Sequence, residues 1–218
     1  MAGLTLYTNP MSRGRIARWM LEEVGQPYDT VILGYVGGAM RGDEYRAINP
    51  MGKVPALRHG DAVVSETAAI CAYLADAFPA AGLAPPHGSA DRAAYYRWLF
   101  FAAGPLEAAT TDRALGIAAV PDEKRGMVGY GDFGRTIDTL DGAVDAANGA
   151  GRWLAGDAFS AADLYVGAHL MWGVQFGSIE KRASFVAFVD RATARPAHGR
   201  AAALDDAVMD QAGLPPSA

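Results

Sequence analysis

Apolar and polar residues alternate at the start of the chain, with Leu4 and Leu6 on one face of a segment running to Thr8, and this predicts a strand. Beyond it the period lengthens. Ile16, Trp19, Met20 and Val24 recur at helical spacing, and Gly25 and Pro27 end the helix they predict. Residues 28–33 predict a second strand, followed by a looser stretch holding Gly34, Gly37, Gly38 and Gly42. Residues 55–58 and 62–64 flank His59-Gly60-Asp61, a hairpin pattern. Ile70, Leu74, Ala77 and Phe78 form the apolar face of a helix placed at 66–77, with Ser65 as its N-cap. Strand, helix, strand, strand, strand, helix is an order that suits a small sheet covered by helices.

The pattern changes near residue 80. Residues 79–89 are dense in Pro and Gly, and the division read from them is an N-terminal domain at 1–80, a linker at 81–89 and a helical domain at 90–218. Helices are placed at 90–116, 122–148, 161–176, 181–194 and 197–209, the first bent at Gly104-Pro105 because proline lacks the N–H that a helix needs. The last residues, 213–218, are expected to be poorly ordered.

Composition narrows the classes of function. Half of the 218 residues are apolar, enough for one large core or two smaller ones, and the net charge is −5 with no basic stripe for a polyanion, so no nucleic-acid partner is expected. No long apolar run suggests a membrane span and no leader is recognisable, so a cytoplasmic location is expected. The single cysteine, Cys71, excludes an internal disulfide and sits at core spacing with Leu74 and Phe78. His59, His87, His169 and His198 have no metal-ligand spacing, and no phosphate loop or dinucleotide fingerprint is present, so neither metal nor cofactor is expected. Trp98, Phe100, Phe101 and Trp172 read mostly as core, with one or two available to line an apolar cleft.

Two segments carry chemistry. Residues 49–57 read NPMGKVPAL. A proline after Val54 removes a strand N–H, so the preceding peptide can turn its N–H and C=O toward a bound peptide; alone, Pro55 reads equally as an edge-strand proline. Some eight residues on, Ser65-Glu66-Thr67-Ala68-Ala69-Ile70 opens a helix. Free N–H groups and the helix dipole there suit an anion, a hydroxyl adds a donor, and an adjacent carboxylate can hold an ammonium group. A third segment, Phe159-Ser160-Ala161-Ala162-Asp163-Leu164, has capping-box and hydrophobic-staple spacing, which makes Asp163 a folding residue before a catalytic acid.

With NPMGKVPAL and SETAAI at this spacing, the chain resembles the cytosolic glutathione S-transferases of bacterial type, strongly over 4–78 and more weakly beyond 90. The resemblance implies an α/β N-terminal thioredoxin-like domain, βαβ-ββα, followed by an all-α C-terminal domain that contributes the electrophile pocket. It implies glutathione as co-substrate, held by the Val54 backbone, Glu66 and Thr67, with Lys53 meeting a carboxylate and Pro55, Ser160 and Asp163 structural. In this family the loop after the first strand carries the residue that meets the glutathione sulfur. Ser12 fits the serine-using classes counted from the first strand; counted back from Gly25 the position falls on Met11. Asn9 and backbone donors remain alternatives, and Ser12 also reads as a cap for the helix. A cysteine-class enzyme would carry its thiol in this loop, which has none.

The activity implied is activation of the glutathione thiol for attack on a small apolar electrophile, by a two-fold homodimer with roles such as detoxification. Two rivals share the binding segments: a non-catalytic glutathione-binding or interaction module, distinguished by lack of turnover, and a glutathione-dependent isomerase or dehalogenase, distinguished only by its pocket.

Overall fold

The structure is a computed structural model that describes residues 3–211; the tail expected to be poorly ordered lies outside them. The chain divides into two compact units, one holding residues up to Ala81 together with the C-terminal helix, the other Gly82–Ala194.

The first unit opens with β1 (Leu4–Thr8), α1 (Gly14–Val24) and β2 (Tyr28–Ile32). A short α2 (Asp43–Arg46) precedes β3 (Ala56–His59), β4 (Ala62–Ser65) and α3 (Thr67–Ala77). The sheet order is β2-β1-β3-β4, with β1 parallel to β2 and antiparallel to β3, and β3 antiparallel to β4. A βαβ crossover followed by a hairpin gives this thioredoxin-like arrangement. Every residue of β1 is buried because α1 and α3 pack on one side and a cluster of Tyr7, Met40, Tyr45 and Ala56 covers the other. The edge strand β2 leaves Val31 and Ile32 partly exposed.

The glycine-rich stretch read as irregular folds into a 3-10 turn at Ala39–Arg41 and α2, whose Met40 and Tyr45 complete the core. Ser65 does not cap α3: it is the last residue of β4, paired with Ala56, and Glu66 takes the N-cap position with φ 65° and ψ 118°. Serine suits either role, and the strand ladder decided between them.

The second unit holds α4 (Ala90–Phe101), α5 (Glu107–Ala114), α6 (Phe133–Gly149), α7 (Ala161–Gln175) and α8 (Ala183–Thr193). The segment read as one bent helix over 90–116 is α4 and α5 joined by a π-helical turn, Ala102–Leu106, which accommodates Pro105. The helix read at 122–148 begins only at Phe133. Residues Asp122–Met127 form a 3-10 turn, and Gly131, at φ 68°, breaks the run before Asp132 caps α6 through the Arg135 N–H. α7 is the spine of this unit, packed by α4 and α8, and Gly167 lets Ala192 and Phe188 approach it closely. Trp98 is buried as expected, whereas Phe100 is 68% exposed on α4.

The linker expected at 81–89 is tied into the second unit. Leu83 is buried, and its carbonyl accepts from the Ala161 N–H at 2.8 Å. The last helix, α9 (Pro196–Gln211), falls within the helical domain expected at 90–218 but packs on α1 in the first unit. Long-range ion pairs explain the transfer: Arg18 with Asp205 at 2.9 Å, Arg15 with Asp206 at 2.8 Å and Arg195 with Glu23 at 2.7 Å. Among the described residues no helix is long and apolar enough to cross a membrane.

Candidate active site

The sheet register gathers the motifs. Tyr7 pairs with Ala56 and Ala56 with Ser65, so the end of β1, the start of β3 and the end of β4 lie together at one end of the sheet. The loop carrying Ser12 leaves that end, Val54-Pro55 enters it, and Glu66-Thr67 follows it.

The loop after β1 is held by Asn9. This buried residue donates from Nδ2 to the Leu33 carbonyl at 2.8 Å and accepts the Met11 N–H on Oδ1 at 2.9 Å. Asn9, one of the alternative donors, thus has its amide committed to the loop. The other candidate, Ser12, is half-buried; its hydroxyl donates to the Asn9 carbonyl at 2.7 Å and accepts the Gly14 N–H at 3.0 Å. The Ser12 oxygen therefore sits at the N-terminal end of α1, where free N–H groups and the dipole favour negative charge. Gly14 is required there, since a Cβ would collide with the buried Thr8 hydroxyl. Tyr7 belongs to the core, its ring centroid 5.8 Å from that of Tyr45.

The NPMGKVP segment is built around Asn49, whose role the motif by itself does not reveal. It is buried, accepts the Met51 N–H on Oδ1 at 3.1 Å and donates to the Lys53 carbonyl at 2.7 Å. The Tyr45 hydroxyl donates to the same carbonyl at 2.6 Å, and burial pushes its pKa up to about 12. Gly52 sits at φ 61° with the Met40 carbonyl oxygen 2.8 Å from where a Cβ would be, so only glycine fits without a shift. Lys53 is exposed, and the Val54-Pro55 peptide is cis and lies just ahead of the β3 ladder.

At the third segment, Thr67 is buried in the first turn of α3 and Glu66 is exposed. Glu66 is the one non-glycine residue with positive φ among the described residues. Backbone strain of this kind persists where surroundings enforce it, and it clusters at ligand clamps.

Other candidates fall outside this constellation. Cys71 is fully buried in α3, and burial pushes its thiol pKa upward, which makes it inert. His59 Nδ1 lies 2.9 Å from the Tyr73 hydroxyl, and His169 is buried in α7 with Nδ1 3.6 Å from Glu107. No group of His, Cys, Asp or Glu among the described residues is arranged to hold a metal. The capping box is present as read: Asp163 accepts the Ser160 N–H at 3.0 Å and its hydroxyl at 2.6 Å, and also the Leu154 N–H at 2.7 Å.

Residues 11–77 match the family profile described as glutathione S-transferase, N-terminal domain. Glutathione S-transferase 3 of Zea mays is 30% identical over 172 residues, 75% of each chain. The crystal structure of a glutathione transferase from Methylococcus capsulatus str. Bath superposes with a TM-score of 0.74 at 28% identity, covering 93% of this chain and 98% of that one. A sphingomonad glutathione S-transferase complexed with glutathione superposes with a TM-score of 0.69 at 29% identity, over 92% of this chain and 98% of its own. On the sequence match to the maize enzyme, backed by the shared fold and the motifs at the end of the sheet, the chain belongs to the glutathione S-transferase family.

Proposed function

We propose that this glutathione transferase holds its co-substrate at the gathered end of the sheet and uses Ser12 to stabilise the thiolate. Thr67 and the N-terminus of α3 receive the γ-glutamyl carboxylate, and the Glu66 carboxylate receives the ammonium group beside it. The Val54 peptide pairs with the backbone of the bound tripeptide, and Lys53 meets a carboxylate. A small apolar electrophile is then attacked by the thiolate sulfur: the C–S bond forms as the leaving group departs or a double bond opens. Two chains associate as a homodimer, which would cover exposed apolar residues such as Phe100 on α4 and Val63 on β4. The cytoplasm is the compartment this reading assigns.

The observation that carries the reading is the position of the Ser12 oxygen at the start of α1, at the sheet end shared with Val54, Glu66 and Thr67. A thiol of pKa about 8.5 is only about 3% ionised at pH 7. To meet it, the Ser12 hydroxyl exchanges the Asn9 carbonyl for the sulfur. Trading a neutral hydrogen bond for a charge-assisted one yields about 1–2 kcal/mol, close to one pKa unit, and raises the ionised fraction several-fold.

A second reading, a glutathione-binding module without turnover, has one observation in its favour: the Ser12 proton already has an acceptor in Asn9. The two separate in one experiment. Thiolate absorbance of the glutathione complex is titrated against pH in wild type and Ser12→Ala. Transferase chemistry through Ser12 raises the bound thiol pKa of the variant by about one unit and cuts turnover at pH 7 on the order of tenfold, with affinity nearly unchanged. Superimposable curves would reject Ser12, and no glutathione binding at millimolar ligand would remove the whole assignment.

A further inference from the structure

Arg15 and Arg18 lie three residues apart on α1, so both face the same side of the helix, toward α9. They meet adjacent carboxylates but do different things. Arg18 and Asp205 form a fully buried pair, and Arg18 also reaches the Tyr28 and Thr30 hydroxyls at 3.3 and 3.4 Å, so this pair fastens α9 to α1 and β2. Arg15 instead turns back to the loop. Its Nε donates to the Pro10 carbonyl at 2.6 Å while Nη2 donates to Asp206 Oδ1 at 2.8 Å.

Pro10 lies within the turn that ends at Ser12, whose hydroxyl and N–H both bond to the Asn9 carbonyl, at 2.7 and 3.1 Å. One side of that turn is fixed by Asn9 on Leu33 and the other by Arg15 on Pro10. An arginine side chain has several rotatable bonds, and a single bond to a carbonyl does not immobilise it; a second, ionic anchor does. Asp206 supplies that anchor from a helix 191 residues away in the chain.

We propose that Asp206 is a positioning residue for catalysis, which through Arg15 holds the turn so that the Ser12 hydroxyl is aimed at the glutathione sulfur. The inference rests on the assignment of Ser12 and extends it to α9. Its signature has a sign. Removing a negative charge near the site would, as simple electrostatics, favour the thiolate and lower the bound thiol pKa. Loss of positioning does the opposite. Asp206 is partly exposed, and the Arg18–Asp205 pair keeps α9 docked, so Asp206→Ala is expected to fold.

The test is the thiolate titration of the glutathione complex in wild type, Asp206→Ala, Asp206→Glu, Ser12→Ala and the double variant, with circular dichroism to verify folding. Asp206→Ala should raise the bound thiol pKa by about half a unit to one unit and lower kcat at pH 7 about three- to tenfold, with KM for glutathione within about twofold. Asp206→Glu should recover most of the loss, and on the Ser12→Ala background the Asp206 effect should vanish. A pKa that falls or stays unchanged in Asp206→Ala, while Ser12→Ala shifts it, overturns the positioning role alone, as does an Asp206 effect that persists without the Ser12 hydroxyl. A Ser12→Ala curve identical to wild type removes the assignment of Ser12 and this proposal with it.

Discussion

Asp163 is 0% exposed, yet three donors converge on its carboxylate: the N–H groups of Leu154 and Ser160 and the Ser160 hydroxyl. Two opposing effects act on it. Hydrogen bonds to the charged form favour ionisation, while burial disfavours it; burial wins and lifts the pKa from 3.8 to about 6. Because the folded pKa lies above the unfolded one, the native state binds more protons than the unfolded chain between these values. The contribution of Asp163 to stability is therefore fully present below about pH 4 and is lost as pH rises through about 6. Integrating the linkage for a group moved from 3.8 to about 6 gives a gain of about 2 kcal/mol between pH 7 and pH 4.5. At pH 7, Asp163→Ala strips two buried backbone N–H groups of their acceptor and should cost about 2–5 kcal/mol. Asp163→Asn keeps an acceptor oxygen but turns an amide toward donors, and should cost about 1–3 kcal/mol at that pH. The decisive measurement is urea unfolding of wild type and Asp163→Asn at both pH values, followed by tryptophan fluorescence, since Trp98, Trp153 and Trp172 all lie in the helical unit. The cost of the substitution should grow by about 2 kcal/mol on acidification. A cost that is flat or shrinks would mean that the three hydrogen bonds outweigh burial and the carboxylate stays ionised.

Further outcomes follow from the same geometry. Gly52→Ala should lose about 1–3 kcal/mol of stability and weaken glutathione binding, because a Cβ at φ 61° presses on the Met40 carbonyl and displaces Lys53 and Val54; unchanged melting and calorimetric affinity would show that the loop adapts. Glu66→Ala and Thr67→Ala should each cost about 1.5–3 kcal/mol in glutathione affinity, or one to two decades, by isothermal titration; wild-type affinity in the double variant would place the γ-glutamyl group elsewhere. Light scattering at micromolar concentration should report twice the chain mass of 22.9 kDa, and a value at the chain mass itself would exclude the homodimer.

What could be read from the sequence was local. β1 and α1 followed from apolar period, β3 and β4 from the turn residues between them, and the Ser160–Asp163 box from a spacing of three residues, because a helix's first turn satisfies its own N–H groups with side chains already beside them. The candidate binding segments stood out in the sequence through the Val54-Pro55 step, the Glu66-Thr67 helix start and their spacing, whereas the turn built by Asn49 and the positive φ of Gly52 became visible only in the structure. Errors came where a residue type suits two local structures. Ser65 could cap a helix or end a strand, and pairing with Ala56 decided; residues 122–132 were helical in composition, but glycines and the Asp132 cap delayed α6 to Phe133.

Tertiary structure alone decided which distant segments meet. The Leu154 N–H reaches Asp163 through a loop that no periodicity describes, and α9 leaves the other helices to pack on α1. Asp205 and Asp206 resemble any solvent-facing acidic pair until Arg18 and Arg15 are brought against them from nearly the far end of the chain. Burial makes the first pair obligatory, since a charge withdrawn from water must be matched, whereas the second adds a tether to the loop that carries Ser12. Such pairings depend on which surfaces can close over apolar area together, a property of the assembled helices and sheet that no window of neighbouring residues contains.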